Sequence, residues 1–282
     1  MILTPGFSTR WYRSAVAVLL VLLAISVAPL PARAADSLLR IAGTGASLAL
    51  MVHLGGAFRA ENPQTAIEVL PSMGSGGAIR ALADGAIDLA VSARPLKATE
   101  AALGLEARSL LRTPFMIVSS IRNPMPVAAD RLADLYGDPA ARWADGTPVH
   151  IILRPASESD TALLADSFAG MTEALERARL RPEVPVAQSD QDNLRLAAEI
   201  TGSLTSATLV QVVREYATVT VLPIDGIVPT LANLESGRYP YAKEMILVRR
   251  AGDNPSLDRF IAFLASPTAS RIIRESGAIP LL

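Results

Sequence analysis

The sequence predicts a two-lobed α/β protein in which each lobe is a mostly parallel sheet flanked by helices. Between residues 38 and 91, short aliphatic runs alternate with segments whose apolar residues recur at helical spacing. This alternation is typical of parallel strands joined by crossover helices. A second series of the same kind opens at residues 149–153. In both series, turns rich in Gly, Ser or Thr follow directly after a strand.

The first series is expected to contain three strands and two helices. Their order is strand 38–42, helix 47–60, strand 67–70, helix 77–82 and strand 87–91. A further buried strand is expected at 115–119, because this run is aliphatic and aromatic, and a helix is expected at 128–136. These elements place the Gly- and Ser-rich turns at the carboxyl ends of strands.

The second series begins with a strand at 149–153 and continues mainly as helices. The expected helices are 161–167, 172–178, 190–199, 208–213, 256–264 and 267–276, and the later strands are 219–222 and 245–248. Ser189 or Asp190 is the expected cap of helix 190–199. We therefore expect lobe 1 to comprise residues 35–122 and 220–282, and lobe 2 residues 123–219. A ligand would lie in the cleft between them.

Residues 1–34 are expected to be a signal peptide rather than part of the fold. Arg10 and Arg13 precede an apolar run at 15–27, and Ala32-Arg33-Ala34 fits the small-x-small pattern of a cleavage site before Ala35. The run is shorter than the roughly 20 residues of a membrane-spanning helix, and an uncleaved anchor is the alternative. Export follows from this interpretation; we expect a periplasmic location, although these residues suit any other exported setting as well.

Composition excludes several classes of function. The chain has 282 residues and a formal net charge of −1, with no cluster of Lys and Arg that would favour nucleic acid. It contains no Cys, so it has neither disulfides nor a lipid attached through cysteine. The two His residues, His53 and His150, have no metal-type spacing, and neither a metal nor a cofactor is expected. No G-x-S-x-G sequence occurs, and Ser75 lacks an evident His partner, so an enzyme is not expected.

Three loops predict an oxyanion site. They are Gly43–Ser47, Gly74–Gly77 and Arg154–Thr161, and each connects an apolar run to a helix-like segment. A helix N-terminus leaves backbone N–H groups unpaired, and the helix dipole adds partial positive charge there. If these loops converge, their N–H groups and the Arg154 guanidinium would favour an anion.

Several motifs, in the same order along the chain, resemble those of one family. They are Ile41–Leu54, Ala57-Phe58 with Asn62-Pro63, Gly74-Ser75-Gly76-Gly77 with Ile79 and Leu82, the G-x-x-D-x-A-x-S-x-R-x-L stretch Gly85–Leu96, and the ending Phe260–Leu264, Pro267 and Gly277–Leu281. With these motifs, the chain resembles the phosphate-type periplasmic solute-binding proteins of ABC transporters, which have the type 2 periplasmic-binding-protein fold. The resemblance covers nearly all of the chain after residue 34.

The resemblance implies a monomer whose two lobes close on a dehydrated tetrahedral oxyanion, phosphate above all, and deliver it to an ABC permease in the inner membrane. It also implies which residues contact that ligand through backbone N–H groups, hydroxyls and guanidinium groups. On the matching positions these are Thr44, Ala46, Ser47, Ser75, Gly76, Ser92, Arg94, Arg154, Ser159 and Thr161.

Three residues depart from the family's pattern. Ala93 stands where phosphate binders carry an Asp that accepts a phosphate proton, Asp160 replaces a Gly, and Glu158 is close by. Carboxylates near a divalent anion are unfavourable unless they are paired, point away or accept a proton. The alternative function is therefore a sensor or partner-binding module with the same fold and an altered pocket.

Some of the implied ligand residues also have purely structural interpretations. Arg94 could pair with Asp88 or Glu100 at the surface. Ser159 and Thr161 could cap the helix that follows them. Glu158 and Asp160 could be acids that stabilise a helix N-terminus.

Overall fold

A computed structural model of the protein describes residues 37–122 and 126–282, so the expected signal segment at 1–34 lies outside the described residues. The described strands are β1 (Ser37–Gly43), β2 (Thr65–Val69), β3 (Leu89–Ser92), β4 (Leu105–Ser119), β5 (His150–Ile151), β6 (Ser203–Thr208), β7 (Thr220–Leu222), β8 (Ala242–Arg250) and β9 (Ile279–Pro280). The described helices are α1 (Gly45–Glu61), α2 (Gly74–Ala83), α3 (Ala98–Ala101), α4 (Leu132–Gly137), α5 (Ser159–Ser167), α6 (Met171–Arg179), α7 (Asp190–Glu199), α8 (Leu209–Arg214), α9 (Leu231–Glu235), α10 (Pro255–Leu264) and α11 (Pro267–Glu275), with a 3-10 turn (Ala129–Arg131) before α4.

The strands form a mixed sheet in the order β2-β1-β3-β8-β4-β6-β5, and β7 and β9 both pair with β4. Pairing is parallel between β1 and β2, β1 and β3, and β5 and β6. Each antiparallel pair involves β4 or β8. Helices flank the sheet, which confirms the α/β class. In the described part of the chain, no helix is both long and apolar enough to span a bilayer.

Strand β4 connects two separate hydrophobic cores. Leu110 and Leu111 belong to a core that contains α1, α10 and α11, whereas Phe115 and Ile117 belong to a second core with α4, α5 and α6. The pairing register with β8 shifts between Ser109 and Leu111, just before this change of core. The strand is 15 residues long because it serves both cores.

The first core packs α1 against α10 through aromatic rings. The ring centroids of Phe58 and Phe260 are 5.2 Å apart in an edge-to-face arrangement, and those of Phe58 and Phe263 are 5.5 Å apart. Val210 of α8 also lies in the first core, whereas Leu222 and Tyr239 lie in the second. The lobe boundaries at 122/123 and 219/220 stay a prediction.

Two strands differ most from the sequence expectations: β4 begins at Leu105, ten residues before the expected strand at 115–119, and β6 was not expected. Strand β6 has the sequence Ser-Leu-Thr-Ser-Ala-Thr, which lacks an aliphatic run, yet all six residues are buried. Their hydroxyls are satisfied internally: the Thr205 hydroxyl lies 3.0 Å from the Ile152 carbonyl and 2.8 Å from Asn193 Oδ1, and the Ser203 hydroxyl donates to the Ala197 carbonyl. Hydroxyl groups that find such partners can be buried at little cost. Hydrophobic patterning alone therefore misses β6.

Candidate functional site

The first predicted loop starts α1 immediately after β1. Thr44, Ala46 and Ser47 are buried. The Thr44 backbone N–H donates to the Val91 carbonyl at 2.9 Å, and the Ser47 hydroxyl donates back to the Thr44 carbonyl at 2.9 Å. The side chain of the N-cap residue Thr44 does not cap the helix, and the first turn of the helix contains no acidic residue. The N-terminus of α1 therefore has no negative group from its own segment to complement its dipole.

The second loop has the same character. Helix α2 begins at Gly74, whose φ of +67° is a left-handed conformation that favours glycine. This helix has neither a side-chain cap nor an acidic residue in its first turn. The Ser75 hydroxyl accepts the backbone N–H of Ala93 at 2.9 Å, which ties the loop to the end of β3. Gly76, by contrast, is exposed.

At the end of β3, Arg94 is held by a carboxylate of its own segment. Its guanidinium donates two hydrogen bonds to Glu100, at 2.8 and 2.7 Å. These bonds are the main reason that the pKa of Glu100 falls to about 2. The Ser92 hydroxyl donates to the Arg94 carbonyl at 2.7 Å. Of the two surface partners considered for Arg94, Glu100 is thus the one that the structure contains.

The third loop places Arg154 inside the protein. The residue is 5 % exposed, and its Nη1 donates to the Ala187 carbonyl at 2.7 Å. Its Nη2 is 3.4 Å from Asp190 Oδ2 and 3.8 Å from Glu158 Oε2. Within the described residues, Arg154 Nε is buried without a hydrogen-bond partner. Arg154 is therefore a buried cation with only loose ionic contacts.

Neither Ser159 nor Thr161 occupies the N-cap position of α5. That position belongs to Glu158, whose side chain does not cap the helix. The Thr161 hydroxyl instead lies 3.0 Å from the Pro155 carbonyl and 3.3 Å from the Arg154 carbonyl. The capping interpretation is thus wrong for both residues, because α5 begins at Ser159, two residues before the expected helix start at 161.

The three loops converge on two carboxylates. A Cβ atom built on Gly45, the first residue of α1, would lie 2.6 Å from Asp190 Oδ2. A Cβ atom built on Gly74, the first residue of α2, would lie 2.8 Å from Glu158 Oε1. Both carboxylates also approach Arg154. The starts of α1 and α2 and the buried arginine therefore surround the same pair of acidic side chains.

Sequence reasoning missed Asp190 as a member of this site. The expectation that Ser189 or Asp190 caps α7 is confirmed for Ser189, whose hydroxyl accepts the Asp192 N–H at 3.0 Å. Asp190, however, is buried with its side chain against Arg154. Because Asp190 follows a capping serine, the sequence predicts that its side chain is exposed in the first turn of the helix. No neighbouring residue in the sequence indicates that the side chain is buried.

Lys243 was also missed, although the sequence carries a signal for it. Lys243 alternates with Met245 and Leu247 along β8, so the three share one side of the strand, and all three are buried. The ammonium group forms an ion pair with the buried carboxylate of Asp160. A lysine in phase with core residues requires such an acidic partner. Asp160 is consequently paired with Lys243 rather than free to approach a ligand.

The cluster contains three carboxylates, of which two are buried and that of Glu158 is half-buried, and two buried cations. Arg154 and Lys243 face Glu158, Asp160 and Asp190. Burial raises the pKa of Asp190, and the nearby charge of Asp160 raises it further, while Lys243 and Arg154 act in the opposite direction. The site thus holds carboxylates beside two helix N-termini, and its surroundings oppose the negative charge of Asp190. No set of three or more His, Cys, Asp or Glu among the described residues could hold a metal ion.

Solved structures of other proteins share this fold. A Clostridium perfringens protein described as a phosphate ABC transporter substrate-binding protein with bound phosphate matches with a TM-score of 0.76 at 16 % identity, over 87 % of this chain and 100 % of that chain. An ABC-type phosphate transport receptor from Vibrio cholerae matches with a TM-score of 0.62 at 21 % identity, over 86 % and 99 %. The reduced form of OxyR from N. meningitidis matches with a TM-score of 0.60 at 12 % identity, over 88 % and 100 %. No curated protein sequence matches the chain.

The fold is that of the type 2 periplasmic binding proteins, a class that also includes proteins with other roles. The family model described as the PBP superfamily domain matches residues 29–268, and the chain therefore belongs to this superfamily. The resemblance inferred from the sequence motifs is confirmed for the family and its fold.

Proposed function

We propose that the protein is an extracytoplasmic solute-binding protein that captures a small oxyanion and delivers it to a membrane permease of the ABC type. One observation carries the proposal: the starts of α1 and α2 and the buried Arg154 surround the same two carboxylates. A carboxylate is itself an oxyanion, so its presence at a helix N-terminus indicates what that position attracts. An oxyanion ligand would use the same N–H groups and the same guanidinium.

The proposed ligand contacts differ in how free their polar groups are. The segments Thr44–Ser47 and Ser75–Gly76 provide backbone N–H groups at helix starts without acidic residues. Arg154 provides a buried guanidinium whose Nε–H has no hydrogen-bond partner within residues 37–122 and 126–282. We propose weaker ligand contacts for four further residues: Ser92, Ser159, Thr161 and Arg94. The contact of Arg94 is weaker because its guanidinium is shared with Glu100. The backbone N–H groups of the two helix starts and the Arg154 guanidinium provide most of the affinity in this proposal.

Phosphate is the favoured ligand within this proposal. The position of the family's proton-accepting Asp is occupied by Ala93, whereas Glu158 and Asp190 lie at the helix starts. Either carboxylate could accept a proton from a phosphate oxygen, which sulfate at neutral pH could not supply. The proposal also includes a periplasmic location after cleavage before Ala35, a monomeric state, and neither a cofactor nor catalysis.

The test is calorimetric titration of the chain from Ala35, which contains the whole compact unit Ser37–Leu282, after unfolding and refolding to remove carried ligand. Phosphate, sulfate, molybdate and a phosphonate are titrated in parallel. We expect phosphate to bind at about micromolar Kd or better, and Arg154→Ala to weaken it by about 100-fold, because a charge-assisted hydrogen bond contributes about 1.5–3 kcal/mol.

Arg271→Ala is the matched control for Arg154→Ala. Arg271 pairs with Glu275 on an exposed face of α11, so its loss should leave phosphate affinity unchanged. A folded wild-type protein that binds none of the four anions would contradict the proposal. The excess of carboxylates in the site would then favour the second candidate, a sensor or partner-binding module with the same fold.

A further inference from the structure

We propose that Glu158 and Asp190 are internal competitors of the ligand, whose carboxylates occupy the α1 and α2 N-termini in the ligand-free protein and set which oxyanions can enter. This inference rests on the proposed function, because it concerns the same site. The two carboxylates oppose the binding of an oxyanion. When an oxyanion binds, it replaces a carboxylate at a helix N-terminus.

The contact of Glu158 with α2 is the first support. Both of its carboxylate oxygens approach Gly74, since a Cβ atom built there would lie 2.8 Å from Oε1 and 3.5 Å from Oε2. Glu158 is the N-cap residue of α5, yet its side chain does not cap that helix. The carboxylate therefore lies beside the start of a helix 84 positions earlier in the chain and does not cap its own helix.

The contact of Asp190 with α1 repeats this arrangement. Its Oδ2 would lie 2.6 Å from a Cβ atom on Gly45, and Ser189 already caps the helix that Asp190 begins. The neighbouring Gln191 side chain donates to the Gly45 carbonyl at 3.1 Å and to Glu215 at 2.7 Å, which holds the start of α7 against the start of α1. Each uncapped helix start thus receives an acidic side chain from a distant segment.

Both competitors share one loosely held cation. Arg154 Nη2 is 3.4 Å from Asp190 and 3.8 Å from Glu158, whereas Arg94 is bound to Glu100 through two hydrogen bonds of 2.7 and 2.8 Å. The two carboxylates thus place oxygen atoms around one guanidinium, as a single bound oxyanion would. Because these contacts are long, an incoming anion with better geometry could replace them.

The charged groups around Asp190 determine how the two competitors affect anion affinity. Asp190 is faced by Arg154, Glu158 and Asp160 from the third loop, by Lys243 from β8, and by Glu215, which follows α8. Lys243 forms an ion pair with Asp160, so Arg154 is the cation that contacts both competitors. An anion that brings no proton therefore opposes both carboxylates, and its affinity should rise when either carboxylate becomes neutral.

Sulfate is the informative probe, because its charge is constant between pH 5 and 8 and it brings no proton for a carboxylate to accept. We expect Glu158→Gln to bind sulfate at least about tenfold more tightly than the wild type at pH 8. The wild-type affinity should increase as the pH falls, by up to about tenfold per pH unit if one proton is taken up.

Asp190→Asn is the second variant, and each variant has a control with the same charge change on the same helix. Asp166→Asn removes an exposed carboxylate of α5, and Asp192→Asn removes one from the first turn of α7 that is held by Arg195. Neither control should change sulfate affinity by more than about twofold, because the Asp166 carboxylate is exposed to solvent and the Asp192 carboxylate is paired with Arg195 at 2.6 Å. If Asp190→Asn does not fold, Glu158→Gln decides.

The inference is overturned if the wild type binds phosphate but Glu158→Gln binds sulfate no more tightly than the wild type does. Weaker binding of every anion by Glu158→Gln would also overturn it, because the carboxylate would then be a partner of the ligand. In both cases the proposed function stands. If folded wild type and variants all ignore phosphate and sulfate at every pH, the proposed function itself fails.

Discussion

At the residue scale, the two arginines of the candidate site differ in what they can offer an anion. Arg94 is largely neutralised by Glu100 through two short hydrogen bonds, whereas Arg154 has longer contacts to two carboxylates and a free Nε–H among the described residues. Burial strengthens the interaction of a guanidinium with an anion because water does not screen it. Arg154 is consequently the better anchor.

Substitution of Glu100 by Gln tests the Arg94 pair. The pKa of Glu100 is lowered from 4.5 to about 2, so the pair stabilises the folded state above pH 4.5, and this stabilisation is lost as the pH falls from 4.5 towards 2. We expect Glu100→Gln to lower the Tm at pH 7 by about 2–4 °C, as for a loss of about 1 kcal/mol. The difference should shrink below pH 4.5 in thermal melts followed by circular dichroism.

Glu61→Gln is the control for this prediction, because Glu61 is exposed at the end of α1. Its melting curve should follow that of the wild type at every pH. A Glu100→Gln deficit in Tm that persisted unchanged at pH 2.5 would show that the effect is not the ion pair.

At the element scale, the position of the α1 start is determined by close contact between β1 and β3. Gly43 is the last residue of β1 and pairs with Val91. A Cβ atom on Gly43 would lie 2.3 Å from the Val91 carbonyl oxygen, which is backbone and cannot rotate away. The same carbonyl accepts the Thr44 N–H at 2.9 Å, so the strand contact also sets where the helix begins.

Gly43→Ala should therefore destabilise the protein and disturb the site together. We expect a loss of about 1–3 kcal/mol in the free energy of unfolding, measured with urea, because the two strands must separate. Anion affinity should fall as well. Gly56→Ala is the control, since a Cβ atom there meets nothing within 4 Å and alanine favours a helix by about 0.5–1 kcal/mol. Equal stability of Gly43→Ala and the wild type would contradict the assigned contact.

At the scale of the whole molecule, the two cores are coupled through a shared strand. Leu111 of β4 lies in the first core and Phe115 in the second, and β8 runs beside β4 with Met245 in the first core. Neither core can lose β4 without exposing apolar surface of the other. Cooperative unfolding of both cores in one transition follows from this arrangement.

Phosphate at about 100 times its Kd should raise the free energy of unfolding by about 2.7 kcal/mol and shift the entire transition. For a chain of this size the Tm should rise by about 5–11 °C, which differential scanning calorimetry measures directly. At the same phosphate concentration, a 100-fold weaker Arg154→Ala should gain only about 0.4 kcal/mol, which reduces the rise in Tm to about 1–2 °C. Two resolved transitions, of which phosphate moves one, would mean that the cores unfold independently.

Much of the architecture could be predicted because it depends on residues close together in the chain. Helix α7 begins and ends where apolar spacing and a capping serine indicate, and the Gly- and Ser-rich turns lie at the starts of α1 and α2. Strand β6 could not be predicted, because its burial depends on hydrogen-bond partners in other segments. The three anion loops were recognisable individually for the same reason as the helices: each is a local pattern.

Which residues make up the site could not be predicted from such local patterns. Gln191 reaches Gly45 across 146 positions, and Lys243 meets Asp160 across 83. Whether Asp190 is a solvated acid or a buried neighbour of Arg154 depends on which segments pack together, and its pKa rises because those segments exclude water. Local sequence thus specified the α/β elements and the anion-binding turns, while three-dimensional packing placed the carboxylates against them. The reason is that helix and turn preferences act over a few residues, whereas burial and charge pairing depend on contacts between distant parts of the chain.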